Sequence, residues 1–544
     1  MKRIYFIITL AMTLFFMGCS KQIDLAPYTS IASNTAFLTA DRCLLVLNGV
    51  YDAAQSGIYD PLNGTANSVR GYPFGAAAVE QEEMRGEDMV NVATFYAVTY
   101  ANTCTPLTPN NVNMWKECYA LINKANIAIN GFTTAGSTGV LSSSVANDYI
   151  GQCLFLRAMA HHELLLHFAK PYADNNGASL GIPYRNFPIE SQVSVDLAKT
   201  LPRETVAACY TKILADLDQA ETFLQTGTAG LGGYNTYYAT KAAAIALKMR
   251  VKLHKGDWAG VITEGNKLVP TTTINPQNWT SVVSPIGGWK LTSAVDGAFT
   301  NNISEESIFS IKNDALDNPG TNASLARMFG VSSTATGGRG LCSISPILWN
   351  MPEWTCSDKR RTILYINGSD NTGATNKFTL KYKDPVNQSD GTPYIRYAEV
   401  LLTLAEAEAW NAASVAVATR SIDLLNTVRN RALAAPLTDA YTVASFATKN
   451  ALINAILKER RIEFAAEGKR WGDIHRYATN ATFGFNGVPD KMISGFNVIS
   501  SFVCGGIVPA TGTPAIPYSD YRFLWPIPQQ ERNTNPIVAQ NPGY

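Results

Sequence analysis

Charge is scarce in this chain and nearly balanced: charged residues make up 16% of it, with 44 Lys plus Arg against 43 Asp plus Glu. The basic surplus that marks a nucleic-acid face is therefore missing. Histidine is rarer still, at five residues, and the nine cysteines include no CxxC pair and no spacing suited to a metal. There is no GxSxG elbow, no P-loop and no dinucleotide fingerprint. Beyond Met17 no stretch is long and apolar enough to span a bilayer. Hydrophobic residues at 46% exclude a disordered chain.

What is present begins at the N-terminus. Lys2 and Arg3 precede an apolar run from Ile4 to Met17. As a helix this run rises about 21 Å, short of the roughly 30 Å hydrocarbon core, so it reads as a signal peptide over 1–18. It ends Phe16-Met17-Gly18-Cys19, which resembles a bacterial lipobox, with Cys19 as the expected site of lipid attachment. Several acyl chains on one cysteine anchor stably where a single chain does not. Residues 19–35 read as a polar tether and 36–544 as one body. Of the eight later cysteines, Cys153 and Cys209 lie in helical patterns and are expected as buried thiols, while any disulfide pairing stays open.

The body is expected to be mostly α. Apolar residues recur at helical spacing over Trp115–Asn130 and Tyr149–Phe168, then over Glu204–Leu224 and Tyr237–His254. Ile395–Trp410 with Ser421–Ala432 makes a third pair, and a further helix is expected over Leu452–Ala466. The first members of the first two pairs share Cys118-Tyr119 and Cys209-Tyr210, and their partners are rich in alanine, including Ala158, Ala160, Ala242 and Ala246. Small residues allow close helix approach, as in tetratricopeptide-type arrays. The spacing predicts helix pairs over about 110–270 and 393–480, but is too irregular to establish a regular solenoid. Segments of about 60–105, 270–345 and 481–521 are rich in Thr, Ser, Asn and Gly with scattered aromatics, and are expected to form a folded functional surface.

Two local patterns raise the question of catalysis. His162 and His167 flank Glu163 as in a zinc-protease helix, but stand five residues apart and so point about 140° away from each other. A polar helix face is the better reading. Glu80, Glu82, Glu83, Glu87 and Asp88 supply carboxylates for a glycosidase, yet such an enzyme needs two of them set apart across a sugar. A solvated, partly helical surface segment is expected instead. The Glu459-Arg460-Arg461-Ile462-Glu463 segment, followed by Arg470-Trp471-Gly472-Asp473, reads as one helix locked to the next by ion pairs.

That last segment resembles the ERR-x-E…RW-x-D-x-x-R signature of the SusD/RagB family of outer-membrane nutrient-binding lipoproteins. Ile395-Arg396-Tyr397-Ala398-Glu399 with Ala405-Glu406-Ala407, and Leu425-Asn426-Thr427-Val428-Arg429 with Arg431, are similar to two further family elements. So are Glu306-Ser307-Ile308-Phe309, Asp358-Lys359-Arg360, Trp525-Pro526-Ile527-Pro528 and the closing Gln540-Asn541-Pro542-Gly543-Tyr544. These matches run collinearly through the chain.

The resemblance implies a helical fold of four tetratricopeptide-like units with irregular segments forming a ligand face. It also implies no catalysis; no cofactor is expected, and no residue is assigned to a metal. The expected ligand is an oligosaccharide, or alternatively a peptide, passed to a SusC-like TonB-dependent transporter at the outer membrane, with the protein facing the cell exterior. Ligand residues vary across the family, so none is carried over. From the residues alone, Tyr72, Phe74, Tyr96, Trp289 and Phe329 are the candidate stacking aromatics, with Arg70 and Arg327 as polar partners, because they lie outside the strong helical periodicity.

Overall fold

The structure is a computed structural model that describes residues 35–57, 71–92, 96–231, 234–300, 303–508 and 510–544. Cys19, the signal segment, the tether before Thr35 and Arg70 lie outside the described residues.

Helices α1 (Ala40–Gln55), α2 (Ala76–Arg85), α3 (Pro109–Ser137), α4 (Ser143–Phe168) and α5 (Val206–Phe223) are followed by α6 (Tyr234–Tyr237), α7 (Lys241–Lys255) and α8 (Trp258–Leu268). Later come α9 (Tyr397–Asn411), α10 (Thr419–Ala432), α11 (Lys449–Phe464) and α12 (Arg470–Tyr477). Their starts are written in short polar side chains. Thr39, Ser142, Thr205, Thr240, Asp257 and Thr448 each accept a hydrogen bond from a backbone N–H of the first turn, satisfying a donor that the helix leaves free.

The helices stack in series. α3 lies along α4, α4 along α5, α5 along α7, α7 along α8, α8 along α9, and α9 against both α10 and α11. Taken two at a time, α3/α4, α5/α7, α8/α9 and α10/α11 make four successive pairs. The first two are those read from periodicity. The third pair differs: α8, at 258–268, lies in the helical region but outside the periodicities read above, and α9 packs back on α8 as well as forward on α10.

Cys118, Cys153 and Cys209 are fully buried thiols, and Ala158, Ala160 and Ala242–Ala244 sit in the same core. α4 is buried on every side along most of its length, as the middle layer of such a stack requires.

The irregular remainder contains only short ladders. β2 (Ser307–Ile311) pairs antiparallel with β6 (Thr392–Arg396), placing Phe309 opposite Ile395 at the entrance to α9. β1 (Met89–Asn91) pairs with β3 (Cys342–Ile344), and β4 (Tyr365–Ser369) with β5 (Thr375–Thr379). This half has its own apolar core, including Tyr96, Phe299, Phe329, Trp349, Trp354 and Tyr382. A disulfide joins Cys356 to Cys504.

The motif segments meet inside the molecule. Arg360 reaches Glu459 at 2.7 Å and Glu463 at 2.9 Å, while Arg431 holds Glu463 at 2.7 Å. Arg396 pairs with Glu306 and with Glu467, the latter at 2.8 Å, and Lys381 reaches Glu467 at 2.6 Å. All of these groups are buried. Burial alone would raise the Glu463 carboxyl, but Arg431, Arg396 and Arg360 outweigh it and hold the group at about 2. The lock is thus broader than a helix-to-helix pairing: it ties α11, α10, β6 and two loops together.

Two surface expectations are overturned here. The acidic run is buried, not solvated: Glu80, Glu83, Glu87 and Asp88 are all inaccessible, on α2 and the turn after it. Glu87 and Asp88 are paid off by Arg461 and Arg470 from the far end of the chain. The polar helix face expected at His162–His167 is likewise helix interior, with His162, Glu163 and His167 all buried.

Candidate functional site

The five candidate aromatics are side chains of the core. Trp289 and Phe329 are 0% exposed, Tyr96 1%, Tyr72 2% and Phe74 3%. Phe74 packs edge-on against Tyr394, with ring centroids 5.3 Å apart, and Phe329 packs against Tyr382 at 6.0 Å. None offers a ring face to solvent in this conformation. Arg327 is half-buried and committed to the protein, donating to the Pro385 carbonyl at 2.6 Å and to the Thr321 hydroxyl at 2.9 Å. Lack of helical periodicity did not free these aromatics, because the irregular half needs a core of its own.

The structure instead brings together a different set. A cavity of about 200 Å³ opens where α1, α6 and β2 meet, lined by Asn48, Tyr51, Asp52, Gln55, Tyr237, Tyr238, Ile311, Lys312 and Asp317. Tyr51 and Tyr238 stand edge to face, 4.8 Å apart, and their hydroxyls are spent on fixing the wall. The Tyr51 hydroxyl donates to Gln152 at 2.8 Å and the Tyr238 hydroxyl to Asn48 at 2.6 Å. The Gln55 amide braces the far side, donating to the Lys312 carbonyl and to the Asn313 side chain, each at 2.9 Å.

Asp52, Lys312 and Asp317 stand at the exposed rim. Partial burial, with Asp317 nearby, raises the Asp52 carboxyl above its ordinary value, although Lys124 pulls the other way. Burial pushes the Tyr237 phenol to about 12, so it stays protonated and able to donate. Half-buried tyrosine rings beside carboxylates, an ammonium and an amide can pack an apolar ring face and meet its hydroxyls.

The pocket was missed because its parts come from α1, the approach to the second helix of the second pair and one irregular segment. The available signals were the Tyr237-Tyr238 doublet and the acids Asp314 and Asp317, close behind Glu306-Ser307-Ile308-Phe309.

Among the described residues, one largely buried group has metal-ligating chemistry: ligand atoms of Glu82, Glu163 and His167 all lie within 4.8 Å of one another. Hydrogen bonding assigns them differently. Arg85 Nη1 stands 2.9 Å from His167 Nδ1, and a guanidinium only donates, so Nδ1 is the acceptor and the ring proton is on Nε2. Nε2 in turn donates to Glu163 at 2.9 Å. The lone pair a metal would need is therefore occupied. Burial, reinforced by the Glu163 charge, raises the Glu82 carboxyl well above its ordinary range, so the two carboxyls share a proton.

A stack of helix pairs with a tyrosine-walled polar pocket at its edge has the form of a small-molecule binding scaffold. Comparison with known proteins gives that form a lineage. Residues 350–544 match the model of the SusD family, and residues 52–253 match one described as "Starch-binding associating with outer membrane". SusD-like protein P2 of Formosa agariphila is 26% identical over 460 residues, covering 79% of this chain and 80% of the relative. SusD-like protein P38 of the same organism is 24% identical over 502 residues, with 84% and 88% covered.

The crystal structure of a SusD superfamily protein from Bacteroides fragilis superposes with a TM-score of 0.71 at 25% identity, covering 92% of this chain and 99% of that one. A SusD-like carbohydrate binding protein from Bacteroides vulgatus shares the fold with a TM-score of 0.67 at 16% identity, with 92% and 97% covered. This chain belongs to the SusD-like family.

Proposed function

We propose that this protein captures an oligosaccharide at the outer membrane without transforming it, and delivers it to a SusC-like TonB-dependent transporter. The observation that carries the capture step is the pocket of Tyr51, Tyr237 and Tyr238 rimmed by Asp52, Lys312 and Asp317. Its ring faces and polar rim suit a sugar, which presents apolar faces and hydroxyls together. The family's starch-binding description and the carbohydrate-binding relative of the same fold support this reading. The same description supports residence at the outer membrane, to which an acylated Cys19 would anchor the chain.

Binding without turnover is the expected behaviour. Isothermal titration against a panel of neutral oligosaccharides should find a ligand for the wild type. Tyr237→Ala should weaken that ligand by about 1–3 kcal/mol, by analogy with base stacking on aromatics, and mass spectrometry should recover it uncleaved. Unchanged affinity in a Tyr237→Ala, Asp317→Ala double variant that remains folded would place capture elsewhere. Cleavage abolished by Asp52→Asn or Asp317→Asn would make the pocket an active site.

A further inference from the structure

A second cleft, remote in sequence from the tyrosine pocket, combines donors and an aromatic in another way. It has a volume of about 280 Å³ and lies between the outer faces of α11 and α12 and the turn that follows them, with Asn454, Lys458, Arg461, Arg470, Phe483 and Phe485 among its walls.

Its two arginines are aimed from behind. Glu87 and Asp88 are 2% and 1% exposed, and both guanidiniums rest on them. Arg461 Nη2 reaches Glu87 at 2.8 Å, and its Nε reaches Asp88 at 3.1 Å. Arg470 meets Glu87 through Nε at 3.0 Å and Nη2 at 2.6 Å. In each arginine the Nε–Nη2 edge is spent on the interior, while Nη1 bonds to no described residue, although both side chains line the cleft. Lys458, at the rim, adds a third cation beside Glu353. The one lining acid, Asp473, turns both oxygens to Arg460 and Arg476 and is held well below the usual carboxylate range.

The aromatic wall is equally fixed. A Cβ on Gly484 would lie 2.0 Å from the Tyr477 carbonyl oxygen, so only glycine fits this turn. The turn sends Phe483 inward, 5.6 Å from Trp410 and 5.7 Å from Tyr477, and leaves Phe485 49% exposed, with Arg470 5.1 Å from its ring.

We propose that this cleft binds the acidic group, a carboxylate or a sulfate ester, of a saccharide whose ring rests on Phe485. The saccharide half of that statement rests on the glycan reading above; the acidic half rests on the arginines. Held by buried acids, they need no ligand to be stable. Their outward N–H groups are oriented donors that an anionic oxygen answers far better than a neutral hydroxyl.

Isothermal titration of the full-length protein with trigalacturonic acid, a sulfated galactotriose and neutral galactotriose tests this, the two acids separating carboxylate from sulfate. At least one acidic trisaccharide should bind roughly tenfold more tightly than the neutral one. That advantage should shrink at high salt and again in Lys458→Ala, Phe485→Ala, which removes one cation and the ring but leaves both arginines, while Lys458→Arg preserves it. Both replaced side chains are partly exposed, and circular dichroism will show that the fold stands. The proposal is overturned if neither acidic sugar binds, if acidic and neutral sugars bind alike, or if the double variant leaves the advantage undiminished. An acid preference that persists when Tyr237→Ala, Asp317→Ala abolishes neutral binding supports the cleft as separate. Neutral binding nowhere, with the acid bound here, would sink the tyrosine pocket alone.

Discussion

Glu83 shows how far a carboxyl in this protein can be driven from its ordinary behaviour. It is fully buried on α2, and one oxygen accepts from the Gly468 backbone N–H at 2.8 Å. Burial, and secondarily the charge of Asp88, pushes its pKa from 4.5 to about 8. Between those values the folded protein keeps a proton that the unfolded chain has released, so this group's contribution to stability falls as pH rises from about 4.5 to 8. Glu83→Gln preserves the acceptor and removes the titration. Its urea midpoint should change less than that of the wild type between pH 5 and pH 8, and should exceed it at pH 8. Equal pH slopes for the two proteins would show that Glu83 does not titrate in this range. None of this was legible in the sequence, where a dense run of acids looks like a solvated face. The partners that bury it, Arg461, Arg470 and the Gly468 amide, lie more than 370 residues downstream.

At the scale of elements, the long helices were legible because a 3.6-residue apolar period and a polar cap are local signals. α8 was not. It is short and carries Gly260 and Gly265, which weaken the pattern of a helix. The second glycine has a packing reason: a Cβ there would come within 2.7 Å of Leu404 on α9. The disulfide was also beyond reach, because eight cysteines permit many pairings. It joins residues 148 apart in sequence and pins a loop in which Val503 and Ile507, on either side of Cys504, are exposed. Asn350 reinforces that loop, donating to the Ser501 carbonyl at 2.9 Å and accepting from the Val503 N–H at 2.9 Å. Replacing both cysteines by alanine should cost about 2–4 kcal/mol in denaturant unfolding under oxidising conditions. Limited proteolysis should then cut first between 498 and 508. An unchanged midpoint would mean that the surrounding hydrogen bonds alone hold the loop.

For the whole molecule, five of the family motifs proved to be segments that converge on the buried charges: Glu306, Arg360, Arg396, Arg431 and Glu463 come from five places in the chain. Their pattern was readable because it is structural. The tyrosine pocket proposed for capture was not, because its residues obey no local period. The same distinction bears on the proposed transporter.

No helix among the described residues is long and apolar enough to cross a membrane, and the delivery proposed above is to a transporter that does. A lasting partner interface should mix apolar and polar groups without a dominant charge. A net charge of +1 is compatible with this, and Val503 and Ile507 stand exposed on the pinned loop. Tethering through Cys19 would hold the pocket near the barrel mouth and raise the local ligand concentration there. Metabolic labelling with a fatty acid should therefore mark the wild type and not Cys19→Ala. Tagged wild-type protein, purified in mild detergent from its native host, should carry a TonB-dependent barrel with it. Cys19→Ala should lose membrane association and, with it, much of that co-isolation. Recovery of the labelled wild type alone, across several detergents and with ligand present, would instead describe a freestanding surface binder.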